Sequence, residues 1–297
     1  MMNINDSVFQ SFEQHLITAN VSYLYFNLPN MNLNGSLTDN FTLDTELILR
    51  FDQYKGSHNF QYIAWTGSEI NPQSIIGNFT STGLDQLASS VYRAGFDGIL
   101  IDLEPVPNDS PQFLTMLSDL RHAISQNNTK LLLGANSMKI DPSAVSGQDW
   151  SWDPSYFSQV SSTLDYISPM FFESGTNTQQ EFIHYVDNQL NLTSHYVKSP
   201  VLFAIPNWYS NTTWHHPWAE NLSNSIIAIR AYIDSVGSNK KPLPTMLGIG
   251  IYGLNKTFIV GEGTPAEALE TTPHDWATFQ TQWVNTAYPQ ELGTSLH

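Results

Sequence analysis

The sequence predicts an α/β protein built as a TIM-type (β/α)8 barrel, irregular in or lacking its first strand. Two observations lead there. Seven apolar runs of strand length recur along the chain, and amphipathic helical patterns separate them. Most runs are continuously apolar rather than alternating, as parallel strands covered on both faces require. The order strand, helix, strand implies a parallel sheet, either doubly wound or closed into a barrel. A length of 297 residues is ordinary for a single barrel, and no long linker or repeat divides the chain, so one domain over 1–297 is expected.

The expected strands are 21–27, 60–66, 98–104, 130–136, 164–172, 201–206 and 246–252. An opening helix carries Phe9, Phe12 and Leu16. Further helical stripes follow: Leu84, Leu87 and Val91; Phe113, Leu117, Leu120 and Ile124; Phe182, Val186 and Leu190; then Leu222, Ile226, Ile229, Ile233 and Val236, closed by Gly237. Trp276, Phe279 and Trp283 mark a last helix. An eighth strand lies upstream of the sequence, is absent, or hides between Asn27 and Asn40.

Composition narrows the function. The net charge of −16 comes from 27 acids set against only 11 Lys and Arg, so the chain is poor in bases rather than loaded with acids. Such a surface repels phosphates, and neither nucleic acid nor an anionic membrane is an expected partner. No membrane span is expected, since no apolar run reaches the necessary length. Without cysteine, thiolate metal sites, thiol nucleophiles and disulfides are excluded. Glycosylation sequons begin at Asn5, Asn20, Asn34, Asn40, Asn78, Asn108, Asn127, Asn191, Asn211, Asn221 and Asn255. That is about twice the number chance would place in a chain this rich in Asn, Ser and Thr, and points to an extracellular, N-glycosylated protein whose export signal is not visible.

The candidate chemistry lies in Phe96–Val106, FDGILIDLEPV. Side chains alternate along a strand, so Ile99, Ile101 and Leu103 face the covering helices while Leu100, Asp102 and Glu104 face inward. Glu104 comes last, at the C-terminal end, where barrel active sites are built. Asp102 lies about 6–7 Å from it along the strand. Two desolvated acids at this spacing resist double ionisation, which suits a general acid. The alternative is a pair of structural acids, and so few Arg and Lys make their neutralisation harder to arrange.

The segment resembles the signature of family 18 glycoside hydrolases, the chitinases and endo-N-acetylglucosaminidases, D-x-x-D-x-D-x-E. Asp97, Asp102 and Glu104 match its first, third and last acids, and Leu100 replaces the second. The resemblance implies Glu104 as the general acid/base and Asp102 as the group that orients the substrate's own N-acetyl nucleophile. It extends to Val21–Phe26, Gln61–Gly67, Leu164–Glu173 and Gly248–Tyr252, which are similar to the family's second, third, sixth and eighth strands. Met170 is retained, Phe172 stands where the family has a tyrosine, Glu173 stands at its acid position, and Tyr252 replaces a tryptophan. Phe172 cannot donate a hydrogen bond to the acetamido carbonyl; Tyr25, Tyr252 and Asn207 are candidate replacements.

Expected substrate-binding residues are therefore Tyr25, Trp65, Met170, Phe172, Glu173, Asn207, Trp208 and Tyr252, aromatic rings being suited to the C–H faces of sugars. The expected substrate is a β-linked N-acetylhexosamine polymer or glycan. The alternatives are a non-catalytic glycan-binding protein, and a two-carboxylate glycosidase using Glu104 and Glu173. No cofactor or metal is expected. Trp214, His215, His216 and Trp218 form a loop cluster suited to capping a site, but adjacent histidines are a poor metal signature. Gly248, Gly250 and Gly253 spell GxGxxG in the last strand with no helix behind it, which argues against a dinucleotide site.

Overall fold

A computed structural model of the protein describes residues 6–18, 20–28, 30–37, 42–68, 76–126, 130–206, 212–238, 240–243 and 245–252. The chain divides into two compact units, Met1–Ile167 and Ser168–His297.

The first unit opens with helix α1 (Asp6–Thr18), which buries Phe9 and Leu16. Strand β1 (Tyr23–Asn27), helix α2 (Thr42–Tyr54), strand β2 (Gln61–Ser68), helix α3 (Ser81–Arg93), strand β3 (Gly98–Leu103), helix α4 (Pro111–Gln126) and strand β4 (Leu132–Ser137) follow. A two-residue pair, β5 (Lys139–Ile140) with β6 (Ser151–Trp152), and helix α5 (Pro154–Ser162) precede strand β7 (Tyr166–Pro169). The main strands run parallel in the order β1-β2-β3-β4-β7, and the division of the chain falls within β7.

Register sets which side chains share a layer. Asn27 pairs with Trp65, Trp65 with Leu100, Gly67 with Asp102, and Leu100 with Gly134. At Gly67 any side chain would run into the Asp102 backbone, so β2 approaches β3 this closely only with glycine there. The parity expected for β3 holds: Ile99, Ile101 and Leu103 are buried, while Asp102 on the opposite face is half-buried. Helices α3 and α4 bury the expected stripes, including Leu84, Leu87 and Val91, and Phe113, Leu117, Leu120 and Ile124.

In the second unit β7 runs on to Met170, which bridges Ala204 of strand β8 (Val201–Pro206), and β8 pairs in parallel with β9 (Met246–Tyr252). Helix α6 (Gln179–Tyr196) starts from a capping box in which Thr178 and Glu181 satisfy each other's backbone N–H groups. Helix α7 (Leu222–Ser235) is capped by Asn221, and Gly237 follows its C-cap Val236 as expected.

Several expected boundaries shift. The strand expected over 164–172 is regular over Tyr166–Pro169; Met170 and Phe171 stay bonded to Ala204, and the backbone turns at Glu173, whose φ is 54°. Between Asn27 and Asn40 the described residues form turns instead of a strand, tied by Asn32 N–H to Ser36 O at 2.8 Å and Gly35 N–H to Asn32 O at 2.9 Å. Helices α2 and α5 were not expected. The closing helix with Trp276, Phe279 and Trp283 lies outside the described residues.

Candidate active site

Asp102 and Glu104 stand at the C-terminal end of β3. Glu104 is one residue past the strand, yet its N–H donates to Ser68 O at 3.3 Å and continues the ladder. Its side chain therefore keeps the parity of Asp102, and both residues are half-buried. The segment after Glu104 is anchored: Asn108 N–H donates to Gln148 O at 2.8 Å, Gly147 N–H to Asn108 O at 2.9 Å, and the Trp152 indole to Val106 O at 2.8 Å.

Asp102 is gripped from both sides. The Trp65 indole Nε1 donates to its Oδ2 at 2.7 Å, and Asn136 Nδ2 donates to its Oδ1 at 2.8 Å. Trp65 belongs to β2 and Asn136 to β4, so the two neighbouring strands each supply one donor to the carboxylate between them. Neither donor is charged. The carboxyl group is fixed in rotation by two neutral N–H bonds in a protein with few cations to offer. Asn136 is buried, and its Oδ1 has no hydrogen-bond partner among the described residues. Sequence reasoning missed Asn136; the signal was a polar residue at the C-terminal end of the apolar run LLLGAN, on the parity of Gly134.

Below this layer the first unit is packed. Leu100 is buried, opposite Trp65 on one side and Gly134 on the other. A side chain on Gly134 would enter the ring of Tyr166, so glycine makes room for that ring. The Tyr25 hydroxyl donates to the Tyr166 hydroxyl at 3.3 Å. Burial first, then the adjacent Tyr166, holds the Tyr25 phenol well above its ordinary range, and burial pushes Tyr166 up as well. Tyr25 pairs with Ile63, and Gly67, four residues further along β2, pairs with Asp102, so the tyrosine backbone sits well below the acid layer.

Asp97, the first acid of the motif, works at the other end of β3. Its Oδ2 accepts from Tyr62 N–H at 2.9 Å while its own N–H donates to Tyr62 O at 2.7 Å. Burial raises its pKa. It stitches β2 to the start of β3.

Met170, Phe172 and Glu173 belong to the second unit: Met170 is buried beside β8, Phe172 is half-buried, and Glu173 is exposed. Tyr252 ends β9. Asn207 and Trp208 lie outside the described residues. His215 is a buried partner of Glu220, its Nδ1 3.1 Å from Glu220 Oε2. Among the described residues no group of three or more His, Asp or Glu is arranged to hold a metal, and no helix is long and apolar enough to cross a membrane.

Parallel strands alternating with covering helices define a TIM-type fold, with acids at the C-terminal end of a central strand. Among solved structures the chain is similar to the spore cortex-lytic enzyme SleL of Bacillus cereus, with 11% identity and a TM-score of 0.60 over 86% of this chain and 69% of that one. It is also similar to a chitinase of Chromobacterium violaceum, with 10% identity and a TM-score of 0.57 over 93% and 95% of the two chains. A third similar structure is human YKL-39, described as a pseudo-chitinase with retained chitooligosaccharide binding, with 9% identity and a TM-score of 0.56 over 92% and 94%. At these identities the likeness is one of fold. No family model matches the chain, and no curated relative matches its sequence.

Proposed function

We propose that the protein is an exported glycoside hydrolase acting on β-linked N-acetylhexosamine glycans, with Glu104 as general acid/base and Asp102 orienting the substrate's acetamido group. The observation that carries this reading is the fixing of Asp102 by Trp65 and Asn136, two residues from Glu104 at the C-terminal edge of β3. In the first step Glu104 gives its proton to the glycosidic oxygen as the bond to the anomeric carbon breaks. The acetamido carbonyl oxygen attacks that carbon from the opposite face, and Asp102 accepts a hydrogen bond from the acetamido N–H. Glu104, now a carboxylate, takes a proton from the water that opens the cyclic intermediate. Leu100 removes the lower carboxyl neighbour of Asp102 in the signature, and Trp65 and Asn136 take over its holding role with neutral donors.

A second reading keeps glycan binding without turnover. Leu100 and Phe172 both depart from the hydrolytic signature, and one protein of similar fold is a pseudo-chitinase that binds chitooligosaccharides. Incubating wild type and Glu104→Gln with chitooligosaccharides, and measuring both product release and binding, separates the two. Release by wild type that falls at least about a hundredfold in the variant fits general acid catalysis. Tight binding with no release by wild type selects the second reading. Equal release by both proteins sinks the assignment of Glu104. A thiazoline that mimics the cyclic intermediate should inhibit wild type if the acetamido group is the nucleophile.

A further inference from the structure

The second unit exposes two large indoles that the proposed chemistry does not use. Trp214 is 65% exposed and Trp218 is 57% exposed. Water-facing tryptophans stand out on a surface when they are held in place, and these are held. Gly175 N–H donates to Trp214 O at 2.8 Å, and the Trp218 indole donates to Asn177 O at 2.8 Å. His216 stacks on Trp218 with centroids 4.9 Å apart and planes 8° from parallel. Behind the rings lies a buried polar clamp. Glu220 accepts from Ser174 N–H at 3.0 Å and from Ser174 Oγ at 2.5 Å, and its other oxygen meets His215 Nδ1 at 3.1 Å. The clamp joins the segment after β7 to the segment before α7, and both His215 and Glu220 side chains are fully buried. Burying such a group is tolerated only when its hydrogen bonds are made, so the clamp is a built feature that fixes the loop bearing the rings.

We infer that Trp214 and the His216–Trp218 stack of the second unit form a binding platform for a neutral glycan chain. The chemistry selects that occupant. Flat apolar rings match the C–H faces of pyranoses, and the exposed neighbours Asn177, Thr212 and Thr213 offer neutral hydrogen-bonding groups rather than charges. An anionic polymer would meet a protein of net charge −16 with few cations to receive it. The ligand class follows the glycan reading above, but the platform does not depend on turnover.

The test is a pull-down of the purified full chain on insoluble chitin and cellulose, with sodium alginate as an anionic competitor. The Trp214→Ala/Trp218→Ala variant should bind the neutral polymer about tenfold or more weakly, as removal of central tryptophan anchors does. Trp214→Phe/Trp218→Phe should keep most of the binding. The platform is overturned if the double alanine variant binds as wild type does, or if wild type binds neither polymer. It is also overturned if sedimentation shows the tryptophans holding a dimer. Failure of catalysis at Glu104 with tryptophan-dependent binding intact would reject the hydrolase and leave the platform standing.

Discussion

The Trp65 indole donates to the Asp102 carboxylate at 2.7 Å, from the strand next to the one that carries the acid. The sequence assigns the Trp65 ring to sugar stacking; the structure gives its indole N–H to Asp102. Trp65→Phe keeps an aromatic ring and removes one neutral N–H donor from Asp102. A hydrogen bond to a charged group is worth about 1.5–3 kcal/mol. If the bond sets the carboxylate's angle, kcat should fall about tenfold or more while KM moves little. Asn136→Ala should act in the same direction. Turnover unchanged in both variants would show that the grip on Asp102 has no part in the reaction.

Beneath the acids, Gly134 lies against the face of Tyr166. Gly134→Ala inserts a methyl group into the ring's position. Overpacking of this kind costs about 1–3 kcal/mol, read as a lower denaturant midpoint at unchanged slope. The cause is checked by repeating the substitution in a Tyr166→Leu background, where the smaller side chain should remove much of the penalty. An equal loss in both backgrounds would place the strain elsewhere.

These two relationships mark where sequence reasoning reached and where it stopped. Alternation within β3 is local, so the inward face of Leu100, Asp102 and Glu104 was readable from eleven residues. The strands 201–206 and 246–252 were readable end to end because each is a short apolar run bounded by proline or polar turns. What holds Asp102 is not local. Asn136 becomes its partner only through the register of β3 against β4, which no single run encodes. Tyr166 escaped notice for the same reason: its partners, Gly134 and Tyr25, come from two other strands. Helix α2 was missed because Thr42–Tyr54 intersperses charged residues with its apolar ones and little of it is deeply buried. Helix α5 was missed because nine residues give too few turns for a stripe, although Asp153-Pro154 is a good start signal.

The tyrosine pair predicts alkaline sensitivity. Both phenols have folded-state pKa values above the unfolded value of about 10, through burial. Above that pH the unfolded chain releases these protons and the folded chain keeps them. Their stabilising contribution is therefore complete below about pH 10 and is lost as pH rises through the folded values. Tyr62, Tyr156 and Tyr185 are shifted in the same direction, chiefly by burial. The urea midpoint should fall between about pH 9 and pH 11. Tyr25→Phe/Tyr166→Phe should show a shallower fall. A midpoint that stays level over this range would contradict the burial of these hydroxyls.

The sequons are not equivalent once folded. Asn20, Asn34 and Asn78 are exposed, whereas Asn108 and Asn221 are buried. Asn108 Oδ1 accepts from Asp153 N–H at 2.9 Å. Asn221 caps α7 by accepting from Asn224 N–H at 2.9 Å, and its Nδ2 donates to Pro217 O at 3.1 Å. A glycan is attached through Nδ2, so at Asn221 it would replace one of the two hydrogens that Nδ2 offers to Pro217 O and Trp218 O, and at both Asn221 and Asn108 it would need space the interior lacks. In a eukaryotic secretory host, peptide mapping should find glycans at one or more of the three exposed positions and none at Asn108 or Asn221 on folded protein. Asn221→Ala should destabilise by about 1 kcal/mol through loss of the cap, in glycosylated and unglycosylated protein alike. A glycan found on Asn108 or Asn221 in protein with a native melting curve would mean that those side chains face water.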